Sequence, residues 1–317
     1  MAAIVTLTMN PALDIATATD RVVPAHKLRC APPRYDPGGG GINVARAVHR
    51  LGGESLAIFP AGGAGGERIV TLLRRENVAC EVIGIAGFTR ESLAVEERHS
   101  GQQYRFILPG PALDPGDRER CLAALSRAAP EAAFIVASGS LPPGVPDDFY
   151  ARVAEIARRC GKPLALDSSG PALIAGARGI FLLKPSLSEL EQLAGRDIRT
   201  PGGEERAARE MVAAKRCEIL VLSLGARGAL LATAAGCVRF PAIPVEARTS
   251  VGAGDSMLAG IVLGLTRSLP LREAVRFGMA AGAAALLDVG TQLCDFGMVQ
   301  RLMRRAAEDV ATAGNRL

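Results

Sequence analysis

The stretch PGGGGINVAR, residues 37–46, decides the fold reading. Four glycines lead into INVARAVHRLG (42–52), whose apolar spacing predicts a helix. Glycine lets backbone N–H groups approach a ligand closely, and a helix N-terminus favours anions. Asn43 adds a polar side chain in the first turn. The plain alternative is a flexible loop with an Asn near a cap, but four glycines before a strong helix make an unusual loop. Upstream, AIVTLTM (3–9) reads as a buried strand, and downstream SLAIFP (55–60) reads as another.

The alternation of strand and helix continues outward. ERIVTLLRREN (67–77) predicts a helix, CEVIGI (80–85) a strand, 117–129 a helix, AAFIVAS (132–138) a strand and FYARVAEIARRC (149–160) an amphipathic helix. PLALD (163–167) and GIFLLK (179–184) read as strands, 204–216 as a helix and EILVLSLG (218–225) as a strand. Helices near 254–266, 271–287 and 295–312 follow. This order indicates an α/β fold with a largely parallel sheet. Residues 12–36 and 88–108 break the pattern. They hold extended stretches (DIATAT, KLRCAPPRY, SLAVEERHS, QQYRFIL) with no helix between them, which cannot easily join a parallel sheet. A small antiparallel flap inserted into one main domain over 1–317 is expected.

Composition narrows the function classes. The 317 residues are 49% hydrophobic and 22% charged, which excludes intrinsic disorder. With 4% aromatics and no Trp, a base-stacking platform is not expected. The net charge of +5 is spread along the chain, so a nucleic-acid tail is not supported, whereas small anionic substrates suit it. Seven scattered cysteines with no C-x-x-C pair point to reduced thiols, and three histidines lack metal-ligand spacing. The first residues have no basic leader, and the longest uncharged run, 132–146, is shorter than the ~20 residues of a membrane helix. A soluble, cytoplasmic protein that binds neither nucleic acid nor membrane is expected.

Three further motifs carry chemistry. In TSVGAGDSMLAG (249–260), Gly252, Ala253 and Gly254 lead into a helix with Asp255 near its start. Their amides suit a phosphoryl group whose charge grows during transfer. Asp255 would repel that anion as a mere cap, but makes sense as a general base for a hydroxyl nucleophile. The alternative is an ordinary capping Asp. LSLGARGAL (222–230) ends a strand in a Gly-x-x-Gly turn, either a wrap for nucleotide phosphates or a plain β-turn between strands. In LLKPSLSELEQL (182–193), Lys184 ends a strand and can meet a phosphate, while Glu189 can organise Mg²⁺ through water; a solvated helix start is the alternative. Neither G-x-x-x-x-G-K-[ST] nor G-x-G-x-x-G occurs, which argues against a P-loop nucleotidase and a nicotinamide oxidoreductase.

Together, GGGGINVARAVHRLGG (38–53) and TSVGAGDSMLAGIVLGL (249–265) resemble the two signatures of the PfkB family of sugar kinases. The likeness runs from TLTMNPALD (6–14) to GTQLC (290–294). Within the family, KLRC (27–30), FPAGGAGGE (59–67), TRESL (89–93), QYRFILPGPAL (103–113), SGSLPPGV (138–145) and LDSSG (166–170) resemble the phosphosugar branch, above all its minor 6-phosphofructokinases. Where the 1-phosphofructokinases and tagatose-6-phosphate kinases more often carry G-G-K-G, this chain has Gly40-Gly41.

The resemblance implies a ribokinase-like three-layer α/β/α sandwich with a β lid, and ATP-dependent phosphorylation of fructose 6-phosphate at its C1 hydroxyl. Asp255 is then the base and Gly252, Ala253 and Gly254 the anion hole. Asp14, Gly39, Gly40 and Asn43 would bind sugar hydroxyls. Lys27, Arg29 and Arg90 would hold the substrate phosphate, with Ser138 nearby. Lys184, Ser186, Ser223, Gly225 and Gly228 would contact ATP, and Glu189 would act on Mg²⁺ through water. A K⁺ site is implied near Thr249, Val251, Ala285, Asp288 and Gly290, and a homodimer through the lids. The family's N-x-x-E motif has Ser186 in place of Asn here, which implies weaker nucleotide or Mg²⁺ binding without loss of activity. A 1-phosphofructokinase, a tagatose-6-phosphate kinase and a non-catalytic sugar-phosphate sensor are the competing readings.

Overall fold

The computed structural model describes residues 4–247, 249, 251–287 and 293–314, with side chains described as far as 305. The elements run β1 (Ile4–Leu7), β2 (Ala12–Thr19), β3 (Arg34–Gly38), α1 (Gly40–Arg50), β4 (Ser55–Ala61), α2 (Gly63–Arg75), β5 (Ala79–Gly84), β6 (Arg90–Glu97) and β7 (Gln103–Ile107). Then come α3 (Pro115–Ala128), β8 (Phe134–Ser138), α4 (Phe149–Arg159), β9 (Leu164–Asp167), α5 (Gly170–Gly176), β10 (Ile180–Leu183), α6 (Leu187–Ala194), α7 (Gly203–Ala213) and β11 (Cys217–Ser223). The chain closes with β12 (Ala229–Thr233), β13 (Gly236–Phe240), α8 (Ala253–Thr266), α9 (Leu271–Ala285) and α10 (Phe296–Gly314).

Among the described residues, nine strands form the main sheet in the order β13-β12-β11-β10-β9-β8-β1-β4-β5. It is parallel except for β12 and β13. Its strands are short continuous apolar runs because both faces are covered. Side chains alternate between two cores. Val5, Leu7, Ile135 and Leu166 pack toward the face of α3–α7, while Ile4, Val136, Ala165 and Leu182 pack toward α1, α8 and α9. That is the three-layer α/β/α sandwich. Helices α8 and α9 meet almost backbone to backbone, since a Cβ on Gly260 would stand 2.7 Å from Gly278 Cα.

Strands β2, β3, β6 and β7 form a separate sheet in the order β3-β2-β6-β7. Two of its pairings are antiparallel, and its central pair, β2 with β6, is parallel. The flap expected from 12–36 and 88–108 is therefore present as a mixed sheet. One expected strand is corrected: KLRCAPPRY is extended only from Arg34 onward, because Pro32 and Pro33 have no N–H to give a ladder. The hairpin β12–β13 and the short helix α5 were not expected. No helix among the described residues is long and apolar enough to cross a membrane.

From β1 the chain runs to β4 and β5 on one side, and from β8 to β9, β10 and β11 on the other. The order reverses between β1 and β8, and in open α/β sheets ligands bind at the carboxyl ends of strands at that point. Ser138, Asp167, Lys184 and Ser223 stand at or just past those carboxyl ends.

Candidate active site

The start of α8 carries no side-chain cap. Gly252 precedes it with φ +76°, a conformation that suits glycine, and brings no side chain to cap the helix. The first intrahelical bond runs from Ser256 N–H to Gly252 O at 2.8 Å, so the helix itself leaves the N–H groups of Ala253, Gly254 and Asp255 for another acceptor. Lys184 faces the same spot; a Cβ on Gly254 would stand 3.5 Å from its Nζ.

Asp255 lies in that first turn. Its Oδ2 accepts a hydrogen bond from Asn43 Nδ2 at 3.0 Å, across 212 residues of sequence. Burial, helped by the Asp167 charge, pushes the Asp255 carboxyl up to about 6, although the Asn43 bond and Lys184 pull the other way. A carboxylate of that basicity can take a proton near neutral pH. The Lys184 ammonium pairs with Asp167 Oδ2 at 3.0 Å. Burial opposes its charge, but Asp167, with Asp255 and Glu189, outweighs burial and raises it above the ordinary lysine value.

The glycine loop faces this pair. Gly39, at φ +110°, precedes α1 without a side-chain cap, like Gly252. Ser138 Oγ occupies the space that a Cβ on Gly40 would need, and the Asp14 carboxylate occupies that of Gly38. Only glycine permits this contact between loop, strand end and lid. Burial pushes Asp14 up to about 6 as well, against the pull of Arg46 and Arg90. Arg90, at the start of β6, donates from Nη1 to Leu108 O at 3.2 Å and from Nη2 to Asn10 O at 3.1 Å. Asp14, Ser92, Ala94, Arg105 and Val251 line a cleft between the lid and the loop before α8.

On the other side of Lys184, Ser186 caps α6. Its Oγ accepts from Glu189 N–H at 3.4 Å, and Glu189 Oε2 accepts from Ser186 N–H at 2.7 Å. Ser186 also bridges Ser223, whose N–H donates to Pro185 O at 3.0 Å. Gly225 and Gly228 both have positive φ and bound the turn that follows. The loop before α8 abuts the end of α9: Thr249 N–H donates to Leu286 O at 3.4 Å, one residue past Ala285, and Thr249 Oγ1 accepts from Val251 N–H at 3.1 Å.

The sequence-derived residues therefore gather around Asp255, Asn43, Lys184 and the glycine loop, with Asp14 and Arg90 on the side of the four-stranded sheet and Ser138 at the end of β8 beside Gly40. Lys27 and Arg29 do not join it within this chain. They lie on an exposed segment, where the Arg29 carbonyl accepts from Thr19 Oγ1. Asp288 and Gly290 lie outside the described residues. No group of three or more His, Cys, Asp or Glu that could hold a metal ion occurs among the described residues. Sequence reasoning missed Asp167 and Arg105. The signal for Asp167 was its place at the end of PLALD, since register pairs Leu166 with Leu183 and so sets Asp167 beside Lys184.

Comparison with known proteins identifies the family. Residues 7–296 match the model of the pfkB family carbohydrate kinases. An ATP-dependent 6-phosphofructokinase isozyme 2 of Mycobacterium tuberculosis is 53% identical over 305 residues, 96% of this chain and 90% of the relative. The crystal structure of Escherichia coli phosphofructokinase-2 in complex with potassium superposes with a TM-score of 0.93 at 42% identity, covering 97% of this chain and 100% of that one. The tetrameric inhibited form of the same enzyme gives 0.91 at 41% identity, with the same coverage. With both glycine-led helix starts converging on Asp255, the chain belongs to the pfkB family of carbohydrate kinases.

Proposed function

We propose that this protein is an ATP-dependent 6-phosphofructokinase, transferring the γ-phosphoryl group of ATP to the C1 hydroxyl of fructose 6-phosphate. The observation that carries the reading is the Asp255 carboxylate held by Asn43 at the uncapped start of α8, with the Lys184 ammonium beside Gly254. Phosphoryl transfer is mostly positioning and charge stabilisation. Asp255 takes the hydroxyl proton, while the amides at 252–254 and Lys184 meet the charge of the moving group.

Asp14, Gly39, Gly40 and Asn43 orient the sugar. Arg90 and Ser138 lie toward its phosphate, and Arg105, across the cleft, adds positive charge. Ser186, Ser223, Gly225 and Gly228 offer backbone and hydroxyl groups to the nucleotide. Mg²⁺ arriving with ATP supplies charge neutralisation at the phosphates. Glu189 suits a contact with it through water, because one of its oxygens is already engaged by Ser186 N–H. A K⁺ site fits the contact between the 249–251 loop and the end of α9, where the carbonyl end of the helix dipole favours a cation.

Chain 1–317 acts as one kinase domain whose lid closes over the sugar. A lid-to-lid homodimer is supported by the end of edge strand β7 and its exit, where Phe106, Ile107 and Leu108 are exposed. It would also give Lys27 and Arg29 a route to a phosphate. The cytoplasm fits both the substrates and the free cysteines. The test is ADP formation with Mg·ATP across fructose 6-phosphate, tagatose 6-phosphate, fructose 1-phosphate, fructose and ribose. The highest kcat/KM is expected for fructose 6-phosphate, and a flat or empty panel overturns the reading.

A further inference from the structure

Helix α1 carries a charge that no substrate contact explains. The Arg46 side chain is fully buried. Its Nε donates to Glu76 Oε2 at 2.8 Å and its Nη2 to Glu76 Oε1 at 2.7 Å, a two-pronged clamp. Nη1 donates to the Pro37 carbonyl at 2.8 Å and to Asn43 Oδ1 at 3.4 Å. Asp36 stands 3.8 Å from Nη2. An apolar side chain of similar volume often packs as well as such a buried pair, so stability alone does not account for it.

The geometry does. An amide has an accepting and a donating end of nearly equal size. In Asn43 the oxygen is turned to Arg46, so the nitrogen is turned to Asp255. A flipped amide would set an oxygen against the carboxylate and leave the guanidinium facing an –NH₂. The same guanidinium holds Pro37, at the entry to the glycine loop, in place.

We propose that Arg46, anchored by Glu76, is a positioning residue for phosphoryl transfer. It acts through Asn43 by fixing which end of the amide meets Asp255. The inference rests on Asp255 being the base. Arg46 touches neither sugar nor nucleotide in this assignment; its effect passes through one side chain and one loop.

The test is Arg46→Lys, which keeps the positive charge near Asp14 but loses the guanidinium fork. Kinetics with fructose 6-phosphate and Mg·ATP are read across pH 5 to 9, with active sites counted by ligand titration. Turnover per active site should fall about 10- to 100-fold, the scale of a small misplacement of a reacting group. KM for Mg·ATP should stay within about twofold, since nothing in the nucleotide turn moves. The acid limb of kcat should move to higher pH, because Asp255 loses a donated hydrogen bond. The other groups facing Asp255 are Asp14 from β2, Asp167 from the end of β9 and Lys184 after β10, all unchanged in the variant.

A purely structural role would lower the count of active sites and leave kcat per site and its acid limb alone, and that result overturns the proposal. If Arg46→Lys does not fold, Glu76→Gln carries the same test, with a smaller expected loss of about threefold and the same direction of shift. A folded Glu76→Gln with full turnover and an unmoved limb overturns it equally. Asp255→Asn separates the two layers. If it keeps near-normal turnover, the base assignment fails. If it is dead while Arg46→Lys is normal, only the inference about Arg46 fails.

Discussion

Two helices begin on either side of the Lys184 ammonium, and they begin differently. Helix α6 is closed at its start: Ser186 and Glu189 satisfy each other's backbone N–H groups in a reciprocal box. Helix α8 is open: Gly252 offers no side chain, and the first-turn amides are left for a visitor. A closed start stabilises its own helix and positions what flanks it. An open start gives up that stability for an anion site. Other helices also start without a side-chain cap, so what sets α8 apart is the Lys184 ammonium beside Gly254; on the proposed function charge is received at 252–254, and Ser186 serves as a helix cap as well as a nucleotide contact.

The strongest way to break this contrast is at the open end. Asp255→Asn should lower kcat by about 10²- to 10⁴-fold while substrates still bind, measured by steady-state turnover and equilibrium titration; near-normal turnover removes Asp255 as base. Gly252→Ala should cost about 10- to 100-fold in kcat. It forces alanine into φ +76° and sets a Cβ 2.6 Å from Leu293 Cδ2, so the amides shift. Unchanged kcat would mean that the open amides are not used.

Arg90→Ala should raise KM for the phosphosugar about tenfold and leave that for ATP nearly unchanged; equal effects would move Arg90 out of the sugar site. At the closed end, Ser186→Ala should lower stability by about 1 kcal/mol in thermal or urea unfolding, with little loss of kcat. Ser186→Asn should preserve the cap and tighten Mg·ATP by about two- to threefold, restoring the amide that the family motif carries. Unaltered Mg²⁺ and ATP dependence in that variant would leave Ser186 as a cap and nothing more.

Stability against pH sharpens the same contrast. The native Asp255 carboxyl titrates near 6, above its unfolded value of 3.8. The native state therefore binds more protons between these values, and stability from this group is full below about pH 4 and lost as pH rises through about 6. Asp255→Asn should thus gain on the parent protein between pH 4 and 7, by an amount of order 1 kcal/mol, with the gap closing toward pH 4. Thermal melts of both proteins at pH 4, 5.5 and 7.5 read it directly. A gap that widens toward acid pH would contradict a raised Asp255.

What the sequence disclosed follows from how far each contact reaches. The apolar runs 3–9, 132–138 and 179–184 were legible because parallel strands buried on both faces leave no polar alternation. The glycine-led helix starts were legible because glycine has few other uses before a strong helix. The hairpin β12–β13 was not, since its turn TAAG lacks an Asn-Gly pair. Helix α5 covers only GPALIAG, too short for a period to show. Segment 27–33 failed as a strand because alternation ignores the missing N–H groups of Pro32 and Pro33. In the site, Asp255 and Asn43 stood out within their own motifs. Asp167 and Arg46 did not, because their importance lies in partners, Lys184 and Glu76, that only strand register and helix packing bring near.

The tight crossing of α8 over α9 has a consequence for how this enzyme can be altered. With Gly260 against Gly278 the helix bearing Asp255 is packed closely on its neighbour. On the proposed function the base is then a fixed post, and closure over a bound sugar would fall to the four-stranded sheet. An engineer seeking a new sugar should therefore vary lid positions such as Ser92, Ala94 and Arg105. Changes along the helix crossing would alter the temperatures at which the enzyme works and leave its choice of sugar as it was.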